Sequence, residues 1–236
     1  MNKQKDFFDK FGDFLKDIDL LKSIIPQIHR AGYPFIILFI FCTIIFSTIS
    51  NFLGWIGVIL TIWCVYFFRD PERVTPKKDN ILVAPADGRI LSISTESVPE
   101  NLTEDKQKKM NKISIFMNVF NVHVNRSPVK GKIKKIEYKE GSFFNASLDK
   151  ASEKNERNSI VISTENGIEV IVVQIAGLIA RRILSFVNDG DQLKSGERFG
   201  LIRFGSRVDI YLPKTFKSEV KVGDKTVAGE TILGSF

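Results

Sequence analysis

Residues Phe35 to Phe68 form a run of 34 positions without a charged side chain, "FIILFIFCTIIFSTISNFLGWIGVILTIWCVYFF", ended abruptly by Arg69 and Asp70. A core helix of a water-soluble domain keeps a polar stripe, and this run has none. It reads as embedded in a membrane. One straight span needs about 20 apolar residues, so the run is too long for one span and slightly short for two. Its centre, "STISNFLGW", carries the turn formers Ser50, Asn51 and Gly54. A helical hairpin, or a pair of helices sunk into one leaflet, is the favoured reading. One long tilted span, with the rest of the chain on the other side, is the alternative. Basic residues flank both ends: Lys22 and Arg30 before, Arg69, Arg73, Lys77 and Lys78 after. The positive-inside tendency then places both ends, and the polar part of the chain beyond them, on the cytoplasmic side of the cell membrane.

The first 34 residues lack the short basic region and apolar stretch of a cleavable signal. Within them "DFFDKFGDFLKDIDLLKSII" spaces its apolar residues as an amphipathic helix does, which suits a membrane surface or packing against the main domain. The two cysteines, Cys42 and Cys64, both fall in the apolar run and suggest neither a disulfide framework nor a metal site. The formal charge of +7 lies mostly after the anchor. Four lysines crowd residues 130–135 of "VKGKIKKIEYK". No stacking aromatics or recognition-helix pattern accompany them, so nucleic acid is not implied. Anionic lipid headgroups and a plain solvated strand face are the two readings left.

After a Pro- and charge-rich linker at 69–78, residues 79–236 alternate Val- and Ile-rich runs with Gly, Asn and Pro, the pattern of a mainly β domain, sandwich- or barrel-like. The polar stretches 98–112 and 145–157 read as helical or irregular. An internal echo stands out: "GDQLKSGE" begins at Gly190 and "GDKTVAGE" at Gly223. Two copies are too few for a solenoid and fit two related turns in which glycine supplies positive φ. The pattern is similar to the turns of lipoyl- and biotinyl-carrier folds. A membrane-anchored carrier or binding module is therefore one functional reading, with Lys225 as its modifiable lysine, although no Met-Lys type turn surrounds it.

Chemistry-bearing residues are few. The chain has two histidines, His29 at the membrane entry and His123 in "FMNVFNVHVNRSPVKG". Histidine is the side chain suited to proton transfer near neutral pH. Asp87 lies in "APADGRI", a common turn sequence. Arg181 and Arg182 lie in "AGLIARRIL". Ser206, in "RFGSRVD", lacks the Gly-x-Ser-x-Gly setting of a nucleophile elbow, yet a membrane serine hydrolase built on Ser206, His123 and Asp87 is a further reading.

Taken together, the blocks "FFRDPERVTP", "LVAPADGRI", "FMNVFNVHVNRSPVKGKI", "QIAGLIARRI", "GERFGLIRFGSRVDIYLP" and "VAGETIL" resemble the phosphatidylserine decarboxylase proenzymes, in particular the short bacterial and archaeal type. The resemblance runs from about residue 28 to the C-terminus. It implies self-cleavage between Gly205 and Ser206 into a β chain of 1–205 and an α chain of 206–236, with Ser206 converted to a pyruvoyl group that serves as the covalent cofactor. It implies His123 as the base and Asp87 as the group that orients and charge-stabilises it. It implies no metal and no diffusible cofactor. The substrate would be phosphatidylserine in the bilayer, and the product phosphatidylethanolamine. Some relatives carry two histidines three residues apart in this block. Here the stretch is "HVNR", with Arg126 in the second place. Arg126, Arg181 and Arg182 are candidates for the substrate's phosphate or carboxylate. The C-terminal pair Gly234-Ser235 is a decoy, since a cut there would release only a dipeptide. Whether the protein forms a homo-oligomer is left open by the sequence.

Overall fold

A computed structural model describes residues 27–99, 102–103, 109–141, 155–177, 182–204 and 206–236. The amphipathic pattern before residue 27 lies outside the described residues. Backbone contacts divide the chain into two compact units, one ending at Glu72 and one beginning at Arg73.

The first unit is a helical hairpin. Helix α1 spans Tyr33–Ile49 and α2 spans Asn51–Phe67. His29 caps the short 3-10 turn that precedes α1, its Nδ1 accepting from the Ala31 N–H at 3.2 Å. The turn comes where the sequence placed it: Ser50 is extended (φ −160°, ψ 137°) and accepts the Phe52 N–H on its hydroxyl. Small residues let the helices approach. Gly57 faces Thr43, Gly54 faces Ser47, and the hydroxyls of Thr43 and Thr61 lie 3.1 Å apart. Among the described residues, Arg30–Ile49 is the one helix long and apolar enough to cross a membrane.

The second unit is mainly β. Its strands are β1 (Ile81–Val83), β2 (Gly88–Ser97), β3 (Lys109–Met117), β4 (Val124–Arg126), β5 (Gly131–Lys139), β6 (Arg157–Ser163) and β7 (Glu169–Ala176). Then come β8 (Ile183–Ser185), β9 (Gln192–Leu193), β10 (Arg198–Ile202), β11 (Ser206–Leu212), β12 (Lys217–Ser218), β13 (Lys225–Thr226) and β14 (Ile232–Ser235). A curled sheet runs in the order β13-β2-β3-β11-β7-β6-β5-β9, antiparallel throughout. Two three-stranded sheets, β1-β14-β12 and β4-β10-β8, complete it. The stretch 98–112, read from its polarity as helical or irregular, ends instead in strand from Lys109 onward. Two neighbouring strands pair with it there, and the buried Lys112 is held by Glu96.

Alternation along β11 sends Val208, Ile210 and Leu212 into the main core with Ile113, Ile115, Ile160, Val170 and Val172. The opposite face carries Arg207, Asp209 and Tyr211. Tyr211 packs there with Val161, Ile171, Val173 and Ile175.

The sequence echo is a structural echo. Gly190 and Gly223 open their turns at φ 91° and 94°, and Gly196 and Gly229 close them at 78° and 77°. In both, the Asp after the first glycine accepts a backbone N–H three residues back, at 2.8 Å (Asp191 from Asn188, Asp224 from Lys221). The turns feed β9 and β13, the two edges of the long sheet. Gly131 and Gly88 sit at the matching ends of β5 and β2, and a Cβ at either would crowd a backbone carbonyl, Ser163 or Phe116. Gly131→Ala and Gly88→Ala are each expected to cost about 2 kcal/mol in a denaturant titration, the scale of overpacking against atoms that cannot move aside.

The lysine run at 130–135 is a solvated strand face. Lys130 pairs with Glu165 at 2.7 Å, Lys134 with Glu169 at 2.7 Å and Lys135 with Glu137 at 3.5 Å.

Candidate active site

Ser206 begins β11 and is fully buried. It stands opposite Met117 on one side and Ala176 on the other. Its hydroxyl donates to the Met117 thioether at 3.4 Å, a weak acceptor that leaves the oxygen's lone pairs unspent. Two residues earlier Phe204 is left-handed at φ 62°. A side chain there costs about 1–2 kcal/mol, so the backbone entering the Gly205-Ser206 junction is strained. Gly205 itself lies outside the described residues.

The wall beside Ser206 is polar although it continues the core face. Asn158 donates to Gln174 at 3.0 Å, Gln174 donates to Asn125 at 2.8 Å, and Asn125 reaches the same Met117 sulfur at 3.7 Å. All three amides are buried. Sequence reading missed this network, whose one signal is polar residues at strand positions where the period calls for apolar ones.

His123 precedes β4 and is 1% exposed. Its carbonyl accepts the Ile202 N–H at 3.2 Å, four residues before Ser206. Its Nδ1 lies 2.9 Å from the Asn121 carbonyl. A carbonyl only accepts, so Nδ1 carries the proton and Nε2 is the basic atom. Asp87 reaches this region by a different route. The bonds Val83 N–H to Pro128 and Arg126 N–H to Pro85 run the 83–87 segment antiparallel to 124–128. The Asp87 carboxylate is engaged elsewhere. It accepts from Arg73 Nη2 at 2.9 and 3.2 Å and from the Ala228 N–H at 2.8 Å. Sequence reading takes Arg73 only as a basic flank of the apolar run, not as a partner of Asp87.

Arg126 is buried and donates to the Gly196 carbonyl at 2.9 Å. Arg181 lies outside the described residues. Arg182 is exposed, and its carbonyl accepts the Arg203 N–H at 3.2 Å. Burial, and then the charge of Arg182, lower the proton affinity of the Arg203 guanidinium. Arg203, three residues before Ser206, is a cation the sequence reading passed over. Among the described residues no cluster of three or more His, Cys, Asp or Glu could hold a metal ion.

The class these features define is a β-rich domain with a buried serine heading a central strand, a left-handed Phe204 two residues before it, and one buried histidine in the same domain. A profile of the phosphatidylserine decarboxylase family matches residues 60–234. A protein of Nitrobacter winogradskyi described as a phosphatidylserine decarboxylase proenzyme is 56% identical over 216 residues, covering 92% of this chain and 87% of that one. The chain belongs to the phosphatidylserine decarboxylase family, as its sequence motifs imply.

Proposed function

We propose that this chain is a self-processing decarboxylase that converts phosphatidylserine to phosphatidylethanolamine through a pyruvoyl group made from Ser206. The observation that carries the reading is Ser206 itself: a buried serine of a Gly-Ser pair, heading a central strand in a chain closely similar to a named proenzyme.

Each step has a residue to perform it. His123 Nε2 takes the Ser206 proton, and the oxygen attacks the Gly205 carbonyl carbon. The peptide C–N bond breaks as an ester forms. Elimination then breaks the Cβ–Oγ bond and leaves Gly205 as a new carboxylate. Water replaces nitrogen, ammonia departs, and the 206–236 chain begins with a pyruvoyl group. Asp87 supports the imidazolium by charge from its held position. Met117 and Ala176, which flank the serine, and Asn125, which shares the Met117 sulfur, would hold the pyruvoyl. That group supplies an electron sink when CO2 leaves the substrate. His123 Nε2 then returns a proton to the carbon that lost CO2. Arg203, three residues before Ser206, and Arg182, whose carbonyl accepts the Arg203 N–H, suit the phosphodiester.

The hairpin supports membrane association, with the catalytic unit on the cytoplasmic face. The severed α chain would stay in place, because β11 is hydrogen-bonded on both edges to strands of the β chain. The test is mass spectrometry of the purified protein under denaturing conditions, with phosphatidylethanolamine formation measured in parallel. Two chains parted after Gly205, the smaller starting in a carbonyl-reactive group, are expected. One intact and active chain would overturn the reading and favour the serine hydrolase. An adduct on Lys225 would favour the carrier.

A further inference from the structure

We propose that Arg73 is a positioning residue for Asp87, delivered by a strap, residues 73–75, that the two echoed turns hold; the inference rests on the self-processing reading of Ser206. The strap belongs to the second unit, although it comes directly after the segment that leaves the hairpin.

Each strap residue is gripped by a different part of the β domain. The Arg73 Nη2 nitrogen spans both oxygens of Asp87, at 2.9 and 3.2 Å, with both side chains largely buried. The Val74 N–H donates to Glu230 at 2.9 Å, and Glu230 also lies 3.9 Å from Arg73. The Thr75 hydroxyl fills the space a side chain would need at Gly196, and it would lie 3.6 Å from a Cβ at Gly229. That same Cβ would lie 3.4 Å from the Gly196 Cα, so the closing glycines of both turns meet at Thr75.

The echo breaks at one point, and the break serves the strap. In the first turn Glu197 caps its own loop, accepting the Lys194 N–H at 2.8 Å. In the second turn the matching N–H, that of Val227, goes to the Thr231 hydroxyl at 2.9 Å. Glu230, the counterpart of Glu197, is thereby released to take Val74. Two turns of one design thus differ where one of them must receive another segment.

The consequence concerns the processing chemistry. On the self-processing reading Asp87 supports His123 as the imidazole becomes positive, and a carboxylate can do so only if it is held in place. Arg73 and the Ala228 N–H account for three of its contacts, and Ala228 lies on the α chain. A single nitrogen makes both Arg73 contacts, so a lysine ammonium can replace it in kind.

The experiment uses the full-length precursor synthesised in a cell-free system with phospholipid vesicles, reading the fraction cleaved against time. Arg73→Ala is expected to slow cleavage at least tenfold, and Arg73→Lys to stay within about threefold of the native chain. Millimolar methylguanidinium is expected to speed Arg73→Ala several-fold and to leave Asp87→Ala unchanged. That rescue would not occur if Arg73 only supported the fold, and it decides the matter even where Arg73→Ala is poorly folded. Native cleavage with an equally fast Arg73→Ala overturns the strap alone. A slow Arg73→Ala that neither lysine nor methylguanidinium restores also overturns it, as a positioning role. A native precursor that never cleaves overturns the self-processing reading, and the strap's role with it.

Discussion

Ser206→Ala is expected to leave a single chain of 26.8 kDa where the proposed self-processing gives two, with decarboxylation below detection. The loss is expected to be total because, on the proposed mechanism, one oxygen serves twice, first as the nucleophile that opens the Gly205 peptide and then as the leaving group whose departure creates the carbonyl. No neighbour substitutes for it: Met117 and Ala176 flank the position, and neither carries a nucleophile that eliminates in this way. The fold survives the change. The hydroxyl makes its hydrogen bond to a thioether, so its removal leaves no strong acceptor unpaired. Denaturing electrophoresis and a thermal melt separate the two effects, with the melting temperature expected to move by only a few degrees. Ser235→Ala, at the second Gly-Ser pair, is the matched control and should process normally. Ser235 sits in β14, paired with Ile81 and Lys217 as an ordinary ladder residue. Cleavage persisting in Ser206→Ala would place the junction elsewhere.

Asp209→Ala is expected to cost about 3–5 kcal/mol of stability, the range for removing one partner of a buried ion pair. Arg207 and Asp209 share one face of β11, lie 2.8 Å apart and are both 1% exposed. Without the carboxylate, the guanidinium loses its 2.8 Å partner on a face shared with Tyr211, Val173 and Ile175. For a domain of this size the melting temperature should fall by roughly 10 °C or more. The double change Arg207→Met with Asp209→Leu should recover most of the loss, since a matched apolar pair often equals a buried ion pair. Thermal melts of the three proteins check this. A loss below about 1 kcal/mol in Asp209→Ala would mean that water reaches the pair. Arg207 is the residue directly after Ser206, so slower processing is expected in the single variant and near-native processing in the double one.

Much of the architecture was legible from local pattern. A charge-free run of 34 residues leaves the backbone few options besides helix, and Ser50 marks the turn because its hydroxyl can cap the second helix. The Gly-Asp and Gly-Glu repeats announced paired turns because positive φ is nearly free only for glycine. The stretch 109–112 was not legible. Its polarity argued against a strand, and only pairing with two neighbours, plus the Lys112–Glu96 contact, makes a strand favourable there. The lysine run was ambiguous for the same reason: Glu165 and Glu169, which offset its charge, lie some thirty residues away.

The sequence by itself determined the hairpin and the β-rich domain, because each depends on residues adjacent in the chain or spaced at a structural period. The partners of the chemical groups were decided by tertiary structure alone. Asp87 is held by Arg73 and Ala228, His123 turns its Nδ1 to Asn121, and Ser206 rests on Met117 and a chain of buried amides. Hydrogen bonds and ion pairs act over about 3 Å. Which groups come that close, from positions as far apart as 87 and 228, is settled only when the sheet curls and its two edge turns meet.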